Sequence, residues 1–343
     1  MSASAAIYGL AGEALTPDEK AFFADADPWG FIVFARNLDR PRQIARLCDS
    51  LRDCVGRDAP IFIDQEGGRV QRLKAPTWRA APPAARFGEL FDREPEAALE
   101  AVRLNHRLIG KELRDVGVDA DCAPVVDLAV PGADAVIGDR AFHADPAAVA
   151  ALATAALEGL KDQGVAGVIK HIPGHGRADA DSHHDLPVVR ADAETLFGTD
   201  FAAFAGVAGA PMAMTAHVVY AAIDPDHCAT VSREVIGTII RGHMGFDGLL
   251  MSDDLSMKAL EGGMRRRTED ALSAGCDVVL HCNGEMAEMI EIAHAAPALK
   301  GEALRRAEAA EAARGTPAEL DVEATTARLD ALFDDAGLRR ASA

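Results

Sequence analysis

The sequence predicts an α/β protein built as a single (β/α)₈ barrel of the TIM type. Short apolar runs, many of them rich in β-branched residues, recur along the chain in the way that buried parallel strands require. Most neighbouring runs are separated by a segment with helical start signals, and strands that alternate with helices pair in parallel through right-handed crossovers. Eight such units in about 290 residues fit a barrel, which typically uses about 250 residues.

The predicted strands are Ala5–Leu10, Gly30–Ala35, Pro60–Asp64, Val118–Asp127, Gly164–His171, Ala210–His217, Gly248–Asp253 and Asp277–Cys282. An open doubly wound sheet is the alternative architecture. No Gly-x-Gly-x-x-Gly turn follows the first run, which disfavours a dinucleotide-binding sheet. After about Lys300 the chain is rich in Ala, Glu and Arg, which is typical of exposed helices packed outside a barrel. We therefore expect a catalytic barrel over residues 1–300 and a helical extension over residues 301–343.

Three helix starts are locally specific. Thr16-Pro-Asp-Glu19 is a capping box with proline at the first helical position. Asp145-Pro146 opens the alanine-rich segment Ala147–Lys161, and Ser232-Arg-Glu opens Val235–His243. These signals predict helices at the places where the barrel needs its crossovers.

Composition excludes several classes of protein. The chain has 343 residues, 49% of them hydrophobic, and a formal net charge of −19. A charge of this sign disfavours non-specific nucleic-acid binding, which depends on Lys and Arg at the phosphates. The first fifteen residues lack the positive start of a secretory signal, and no apolar run is long enough to cross a bilayer. We expect a cytoplasmic monomer with no nucleic-acid or membrane partner.

The six cysteines show no C-x-x-C pair. Cys276 and Cys282 would stand roughly 20 Å apart at about 3.3 Å per strand residue, which excludes a disulfide between them. We interpret all six as buried thiols of a reducing compartment.

Polar residues stand at nearly every predicted strand end. In a barrel these ends converge on one face and carry the active site. In order they are Arg36-Asn37, Asp64-Gln-Glu66, Asp127, Lys170-His171, His217, Asp253-Asp254 and Asn283. Any one of them could be an ordinary cap or loop residue, and we consider an acidic turn a plausible interpretation of Glu66. Asp253 emerges from a buried run into the centre of this face, whereas its neighbour Asp254 should point elsewhere.

The segment from Lys170 to Gly176 cannot be regular secondary structure, because Pro173, Gly174 and Gly176 interrupt it. It gathers His171 and His175 on a loop, which continues to His183 and His184. A metal site is one alternative, but the H-x-x-x-H spacing would need a helix and no cysteine joins the cluster. We predict no metal and no cofactor.

Lys170 also leaves an alternative open. A lysine at a strand end can form a Schiff base if a dry pocket lowers its pKa. The neighbouring carboxylates favour a charged lysine that donates hydrogen bonds to substrate oxygens.

Several ordered motifs resemble glycoside hydrolase family 3, in particular its short bacterial β-N-acetylhexosaminidases of cell-wall recycling. The motifs are Ile63-Asp-Gln-Glu-Gly-Gly-Arg-Val-Gln-Arg72, Ala123-Pro-Val-Val-Asp127, Ile137-Gly-Asp-Arg140, Lys170-His-Ile-Pro-Gly-His-Gly176, Asp181-Ser-His183 and Met251-Ser-Asp-Asp-Leu-Ser-Met257. The resemblance runs from about Ile7 to Asn283. Ile172 departs from it, because the family usually has an aromatic residue there.

The resemblance implies a retaining mechanism with three catalytic residues. Asp253 would be the nucleophile, His183 the general acid/base, and Asp181 the residue that orients His183. Histidine titrates near neutrality, and a carboxylate partner fixes its tautomer, which suits this role. By the same resemblance the sugar ligands would be Asp64, Arg72, Arg140, Lys170 and His171.

The expected activity is release of terminal non-reducing N-acetylglucosamine from small peptidoglycan fragments. Aromatic residues make up only 5% of the chain, so we expect an exo-acting pocket instead of a long cleft of stacking subsites. Two alternatives remain. One is a phosphorylase, because a histidine repels an incoming phosphate less than a glutamate would. The other is a sugar-binding barrel without turnover.

Overall fold

The computed structural model of the chain describes residues 2–132, 135–178 and 186–338. Its strands, in chain order, are β1 Ser4–Tyr8, β2 Pro28–Ile32, β3 Ile61–Ile63, β4 Gln65–Gly67, β5 Val70–Gln71, β6 Ala120–Asp121, β7 Ala166–Ile172, β8 Val188–Val189, β9 Met212–Thr215, β10 Val219–Tyr220, β11 Asp224–Cys228, β12 Leu249–Asp254 and β13 Val278–His281. Eight of them, in the order β1-β13-β12-β9-β7-β6-β3-β2, close into a barrel, and every neighbouring pair is parallel. The predicted (β/α)₈ barrel is confirmed.

The helices surround this barrel. They are α1 Pro17–Ala26, α2 Pro41–Val55, α3 Ala84–Phe91, α4 Pro95–Asp115, α5 Pro146–Asp162, α6 Ala193–Gly198, α7 Asp200–Ala205, α8 Met264–Ala274, α9 Met286–Ala293, α10 Gly301–Ala312 and α11 Val322–Asp335. Short 3₁₀ turns lie at Ala35–Asn37, Gly138–Arg140 and Ala229–Val231, and Val235–His243 is a π-helix.

Strand β7 runs through Ile172, so Lys170 and His171 are strand residues and the irregular segment predicted from Lys170 to Gly176 begins only at Pro173. Every predicted strand overlaps one strand of the barrel, but Val118–Asp127 is much shorter than expected. Only Ala120–Asp121 forms a continuous ladder, followed by an isolated bridge between Val125 and Lys170. Pro124 interrupts the run because proline has no N–H to donate to a neighbouring strand. The β4–β5 hairpin and the β8–β10–β11 sheet, both outside the barrel, were not predicted.

The predicted helix starts are also confirmed. The amide of Glu19 donates to Thr16 Oγ1 at 3.1 Å, and the amide of Thr16 donates to Glu19 Oε2 at 2.8 Å. Asp145 caps α5 by accepting from the amide of Ala148 at 2.9 Å. Each bond satisfies a backbone donor that the first turn of a helix leaves unpaired.

Alternating strand residues fill two separate cores. Ile7 points into the barrel with Phe62, Val168, Met212 and other side chains of the interior cluster. Its neighbours Ala6 and Tyr8 point outward to the layer beneath the helices. This alternation is the period of two that a strand imposes, and it makes the barrel interior a packed core.

Helix α10 packs against one end of the barrel. Its Ala307 and Ala310 belong to the interior cluster of the barrel. Trp29 Nε1, at the start of β2, donates to Glu311 at 2.7 Å, and Arg314 pairs with the buried Asp119 at 2.7 Å. Helix α10 therefore covers the amino-terminal ends of the strands, opposite the face where the polar strand ends meet.

The six cysteines are free thiols. Cys48, Cys122, Cys228 and Cys276 are buried as expected, whereas Cys54 and Cys282 are partly exposed. In the part of the chain that the structure describes, no helix has the length and apolarity needed to cross a bilayer.

Candidate active site

A cavity of about 320 Å³ opens at the carboxyl ends of the barrel strands. Its charged lining residues are Asp64, Glu66, Arg69, Arg72, Arg140, Lys170, His171, His175, Asp253 and Asp254, and apolar atoms of Phe34, Met214, Met257 and others complete the wall. All five predicted sugar ligands and the predicted nucleophile therefore meet in one place. This is the face on which barrels of this type carry their chemistry.

Asp64, directly after β3, holds two cations. Its Oδ1 lies 2.7 Å from Lys170 Nζ, and its Oδ2 accepts from Arg72 Nη2 at 2.9 Å. Burial alone would raise the pKa of Asp64, but the charges of Lys170 and Arg72 outweigh it and lower that pKa well below its usual range. Burial alone would lower the pKa of Lys170, and its carboxylates raise it instead. Lys170 is held as a cation by two carboxylates at 2.7 Å, which disfavours the Schiff-base alternative because that chemistry needs a neutral amine.

Glu66 is part of the site, so its interpretation as an ordinary acidic turn is wrong. It accepts two parallel bonds of 2.8 Å from Arg140 and lies 2.7 Å from Lys170 Nζ. Burial opposes its ionisation, but Lys170 and Arg140 lower its pKa. The sequence carried one signal for this role, namely a second carboxylate two residues after a strand-end aspartate.

The β4–β5 hairpin places Glu66 and Arg72 in the pocket wall. Gly67 and Gly68 turn it with φ of 101° and 55°, where residues with a side chain are strained. A Cβ on Gly67 would also lie 2.4 Å from the carbonyl oxygen of Pro82. The Gln65 side chain then accepts from the amide of Arg72 at 2.8 Å. The Gly-Gly pair and Gln65 therefore position the two charged side chains.

Asp127 lies behind His171 and orients it. Its Oδ2 is 2.7 Å from His171 Nδ1, and its Oδ1 accepts from the amide of His175 at 2.6 Å. Burial would raise the pKa of Asp127, but the two histidines lower it. Because Nδ1 of His171 is held by this carboxylate, its Nε2 is left for the pocket. The two histidine rings pack edge to face with centroids 5.7 Å apart.

Asp253 and Asp254 at the end of β12 differ in their surroundings, as expected. Asp254 accepts from the amide and hydroxyl of Ser256 and from the amide of Cys282. Among the described residues, Asp253 accepts from the amide of Asp254 alone, at 2.7 Å on Oδ1. Burial would raise the pKa of Asp253, but His217, His171, the Asp254 amide and Lys170 together lower it. Asp253 is thus ionised at neutral pH and has one carboxylate oxygen not engaged by any described residue.

Three residues at two other predicted strand ends stabilise the loops around the pocket. Arg36 donates to the carbonyl oxygens of Leu10 and Cys282, and the buried Asn37 donates to Leu10 as well. Asn283 pairs with Glu288 at 2.9 Å. These residues hold the loops around the pocket in place and do not line it.

The predicted general acid His183 and its partner Asp181 lie outside the described residues, as does His184. Within the described ranges, no group of three or more His, Cys, Asp or Glu side chains has a metal-binding arrangement. The charged pairs of the pocket offer hydrogen-bond donors and acceptors on several sides. Such an arrangement suits a compact polyhydroxylated ligand.

The comparisons with known proteins agree with this geometry. The glycosyl hydrolase family 3 N terminal domain model matches residues 14–314. The β-hexosaminidase of Bordetella avium is 40% identical over 278 residues, which are 80% of this chain and 79% of the relative. The β-hexosaminidase of Thiobacillus denitrificans is 42% identical over 80% of this chain and 77% of its own. The structure of NagZ from Neisseria gonorrhoeae in complex with N-trifluoroacetyl-D-glucosamine has a TM-score of 0.85 at 32% identity, over 98% of both chains.

Proposed function

The chain belongs to glycosyl hydrolase family 3 and is a glycosidase, and we propose that it is a retaining β-N-acetylhexosaminidase that removes terminal non-reducing N-acetylglucosamine. The names of its relatives and the N-acylated glucosamine in the NagZ complex support the sugar class. The enclosed pocket, which has charged residues on most sides, supports cleavage of one terminal sugar at a time.

The observation that carries the mechanism is that one carboxylate oxygen of Asp253 is not bonded by any residue that the structure describes, whereas the other described pocket carboxylates have both oxygens bonded. Both oxygens of Asp64 and of Glu66 are taken by cations. Both oxygens of Asp254 are taken by Ser256 and Cys282. A nucleophile needs an ionised oxygen that can approach the anomeric carbon, so these contacts favour Asp253 for that role.

The proposed reaction has two steps. In the first, Asp253 bonds to the anomeric carbon while the bond to the aglycone oxygen breaks, and that oxygen takes a proton from His183. In the second, water gives a proton back to His183 and attacks the same carbon, which releases the Asp253 carboxylate. Two displacements at one carbon give net retention. Asp181 would orient the imidazole and stabilise its protonated form.

The cations and histidine of the pocket are proposed sugar ligands. Lys170 uses two of its three protons on Asp64 and Glu66, which leaves one for a sugar hydroxyl. Arg72 donates one bond to Asp64 and stacks over Phe34 at 5.4 Å, so its other terminal nitrogen can donate to the ligand. His171 offers Nε2. Arg140 donates three of its five N–H groups to Glu66 and the Val136 carbonyl oxygen, which leaves two that can donate to the ligand.

We further propose that the natural substrates are peptidoglycan fragments met in the cytoplasm during cell-wall recycling. The motifs shared with bacterial cell-wall recycling enzymes support this, as do the free thiols of the described cysteines, which suit a reducing compartment.

The test is turnover of an aryl N-acetyl-β-glucosaminide followed by NMR of the freshly released sugar. We expect the β-anomer first, no dependence on added phosphate, and no turnover by Asp253→Asn. A fluorinated slow substrate should form an ester on Asp253, which peptide mass spectrometry locates. Release of a sugar phosphate would identify a phosphorylase. An ester on Asp254, or an initial α-anomer, would overturn the proposed mechanism.

A further inference from the structure

A chain of three fully buried polar side chains lies behind Asp253. Thr215 Oγ1 is 2.8 Å from Thr230 Oγ1, and Thr230 Oγ1 is 2.7 Å from His217 Nδ1. All three residues have no exposed surface, and none of them lines the pocket. Burying two hydroxyls and an imidazole is costly unless every donor and acceptor is used. An apolar core would fill this space without that requirement.

The two ends of this chain meet the backbone on either side of Asp253. The amide of Asp253 donates to Thr215 Oγ1 at 3.3 Å. At the other end, His217 Nε2 lies 3.0 Å from the carbonyl oxygen of Asp254. The Asp254 amide in turn donates to the Asp253 carboxylate. The backbone groups on both sides of the Asp253 carboxylate are thus hydrogen-bonded to one connected chain of buried side chains.

The contacts and the neutral state of His217 together indicate the direction of the hydrogen bonds along this chain. A carbonyl oxygen only accepts, so Nε2 of His217 carries a proton. Burial lowers the pKa of His217 more than the nearby carboxylates raise it, so the ring is neutral and its Nδ1 accepts. Thr230 has one hydroxyl proton and two acceptors within reach, His217 Nδ1 at 2.7 Å and the Ala216 carbonyl oxygen at 3.2 Å. The shorter contact and the neutral ring favour donation to Nδ1, and Thr215 then donates to Thr230. The remaining lone pair of Thr215 receives the Asp253 amide.

We propose that Thr230 and His217 are positioning residues that hold the Asp253 segment in line for attack on the anomeric carbon. The proposal rests on the proposed function, since it takes Asp253 as the nucleophile. Both residues act through the backbone and do not touch the sugar. Their effect should therefore fall on the rate of glycosyl transfer, because small displacements of a reacting group cost much rate, whereas binding by Lys170 and His171 is unaffected.

The decisive variant is Thr230→Val. Valine keeps the shape of threonine but leaves His217 Nδ1 and the Thr215 hydroxyl without their partner. We expect kcat to fall at least about tenfold, while KM for an aryl substrate and Kd for N-acetylglucosamine change less than about threefold. Thr230→Ser restores the hydroxyl and should recover most of kcat. If Thr230→Val does not fold, Thr230→Ala removes the same hydroxyl without introducing a second methyl group.

Thr268→Val is the matched control. Thr268 is also fully buried, and its hydroxyl donates to the carbonyl oxygen of Met264 at 2.8 Å within α8. Loss of this hydroxyl should change thermal stability to a similar degree and leave kcat unchanged. If kcat fell in Thr230→Val only because the protein is less stable, it would fall in Thr268→Val as well.

The rate of ester formation on Asp253 separates the two proposals. If the wild-type protein forms the ester and Thr230→Val forms it at the same rate, the positioning role is wrong and the mechanism stands. If the wild-type protein forms no ester on Asp253, the mechanism itself fails. A rise of KM and of the Kd for N-acetylglucosamine as large as the fall of kcat would also overturn positioning, because it would indicate damage to the sugar site.

Discussion

Arg140 and Glu66 form a bidentate ion pair across the pocket, with two parallel hydrogen bonds of 2.8 Å. Their side chains are only 11% and 7% exposed. Arg140 comes from the 3₁₀ turn Gly138–Arg140 and Glu66 from the β4–β5 hairpin, so the pair joins two walls of the pocket. Bidentate pairs of this kind fix geometry as well as charge.

Glu66→Gln tests this pair. Glutamine is similar in size but leaves Arg140 and Lys170 without one compensating charge and with a poorer acceptor. Removing one partner of a buried pair is strongly destabilising, typically by about 3–5 kcal/mol. We expect kcat/KM to fall by about a hundredfold or more together with a clear loss of thermal stability.

Glu100→Gln is a matched control, because Glu100 accepts two bonds of 2.7 Å from Arg328 at the surface. An exposed pair contributes at most about 1 kcal/mol, so this variant should keep full activity. Equal, small effects of the two substitutions on activity would show that Glu66 has no part in organising the pocket.

Asp121 on β6 carries a proton at neutral pH. It is fully buried, accepts from the amide of Gln65 at 3.0 Å, and its Oδ2 has no hydrogen-bond partner in the described ranges. Burial raises its pKa from 3.8 to about 8, with Asp64 and Glu66 adding to the rise and Lys170 opposing it. The folded protein thus holds a proton that the unfolded chain releases above about pH 4.

This difference in the pKa of Asp121 between the folded and unfolded states determines how the free energy of unfolding changes with pH. Stability from the protonated Asp121 is fully present below about pH 4 and is lost as pH rises toward 8, because the unfolded state then binds fewer protons. Asp121→Asn imitates the protonated acid and has no such loss. We expect the variant to match the wild type near pH 4 and to be more stable by a few kcal/mol near pH 8.

Urea denaturation at several pH values measures this difference, with Asp139→Asn at the exposed pocket rim as the control. The contributions of the other titrating groups to the pH dependence of stability are common to the wild type and the variant, so they cancel in the difference. A stability difference that stays constant between pH 5 and 8 would contradict a raised pKa for Asp121.

The sequence was sufficient to predict the barrel because the relevant signals are local. Each apolar run indicates a buried strand, and the polar residue that follows it indicates where that strand ends. The partners of those ends were not predictable, because Glu66 and Arg140 are 74 residues apart and meet only through the fold. The Thr230–His217 contact was missed for the same reason, since Thr230 lies in a short 3₁₀ turn with no motif of its own.

Metal removal tests the predicted absence of a cofactor. Neither step of the proposed reaction needs an ion, because Asp253 supplies the nucleophile and His183 the proton. Dialysis against a strong chelator should therefore leave the initial rate unchanged. A rate that falls on dialysis and returns on addition of zinc would support the metal alternative for the histidine loop.

The arm that leads toward His183 is anchored. The amide of His175 donates to Asp127, Tyr220 donates to the carbonyl oxygen of Gly174, and Arg177 pairs with the buried Asp200. A Cβ on Gly176 would lie 2.2 Å from the carbonyl oxygen of Leu128, so only glycine fits there. The described part of the loop, through Ala178, is thus held in place beside the pocket.

The role of His183 can be tested by comparing substrates with different leaving groups. An alkoxide needs a proton in the transition state, whereas a nitrophenolate scarcely does, so a general acid matters most for sugar aglycones. His183→Ala should slow cleavage of a sugar aglycone by about 10²- to 10⁴-fold and of a nitrophenyl aglycone far less. Asp181→Ala should show the same contrast more mildly, because the imidazole remains but loses its orientation.

His184→Ala is the adjacent control and should leave both rates near wild type. Comparing kcat/KM for the two substrates in all three variants measures the contrast, and equal losses on both substrates in His183→Ala would mean that His183 binds the sugar without donating the proton.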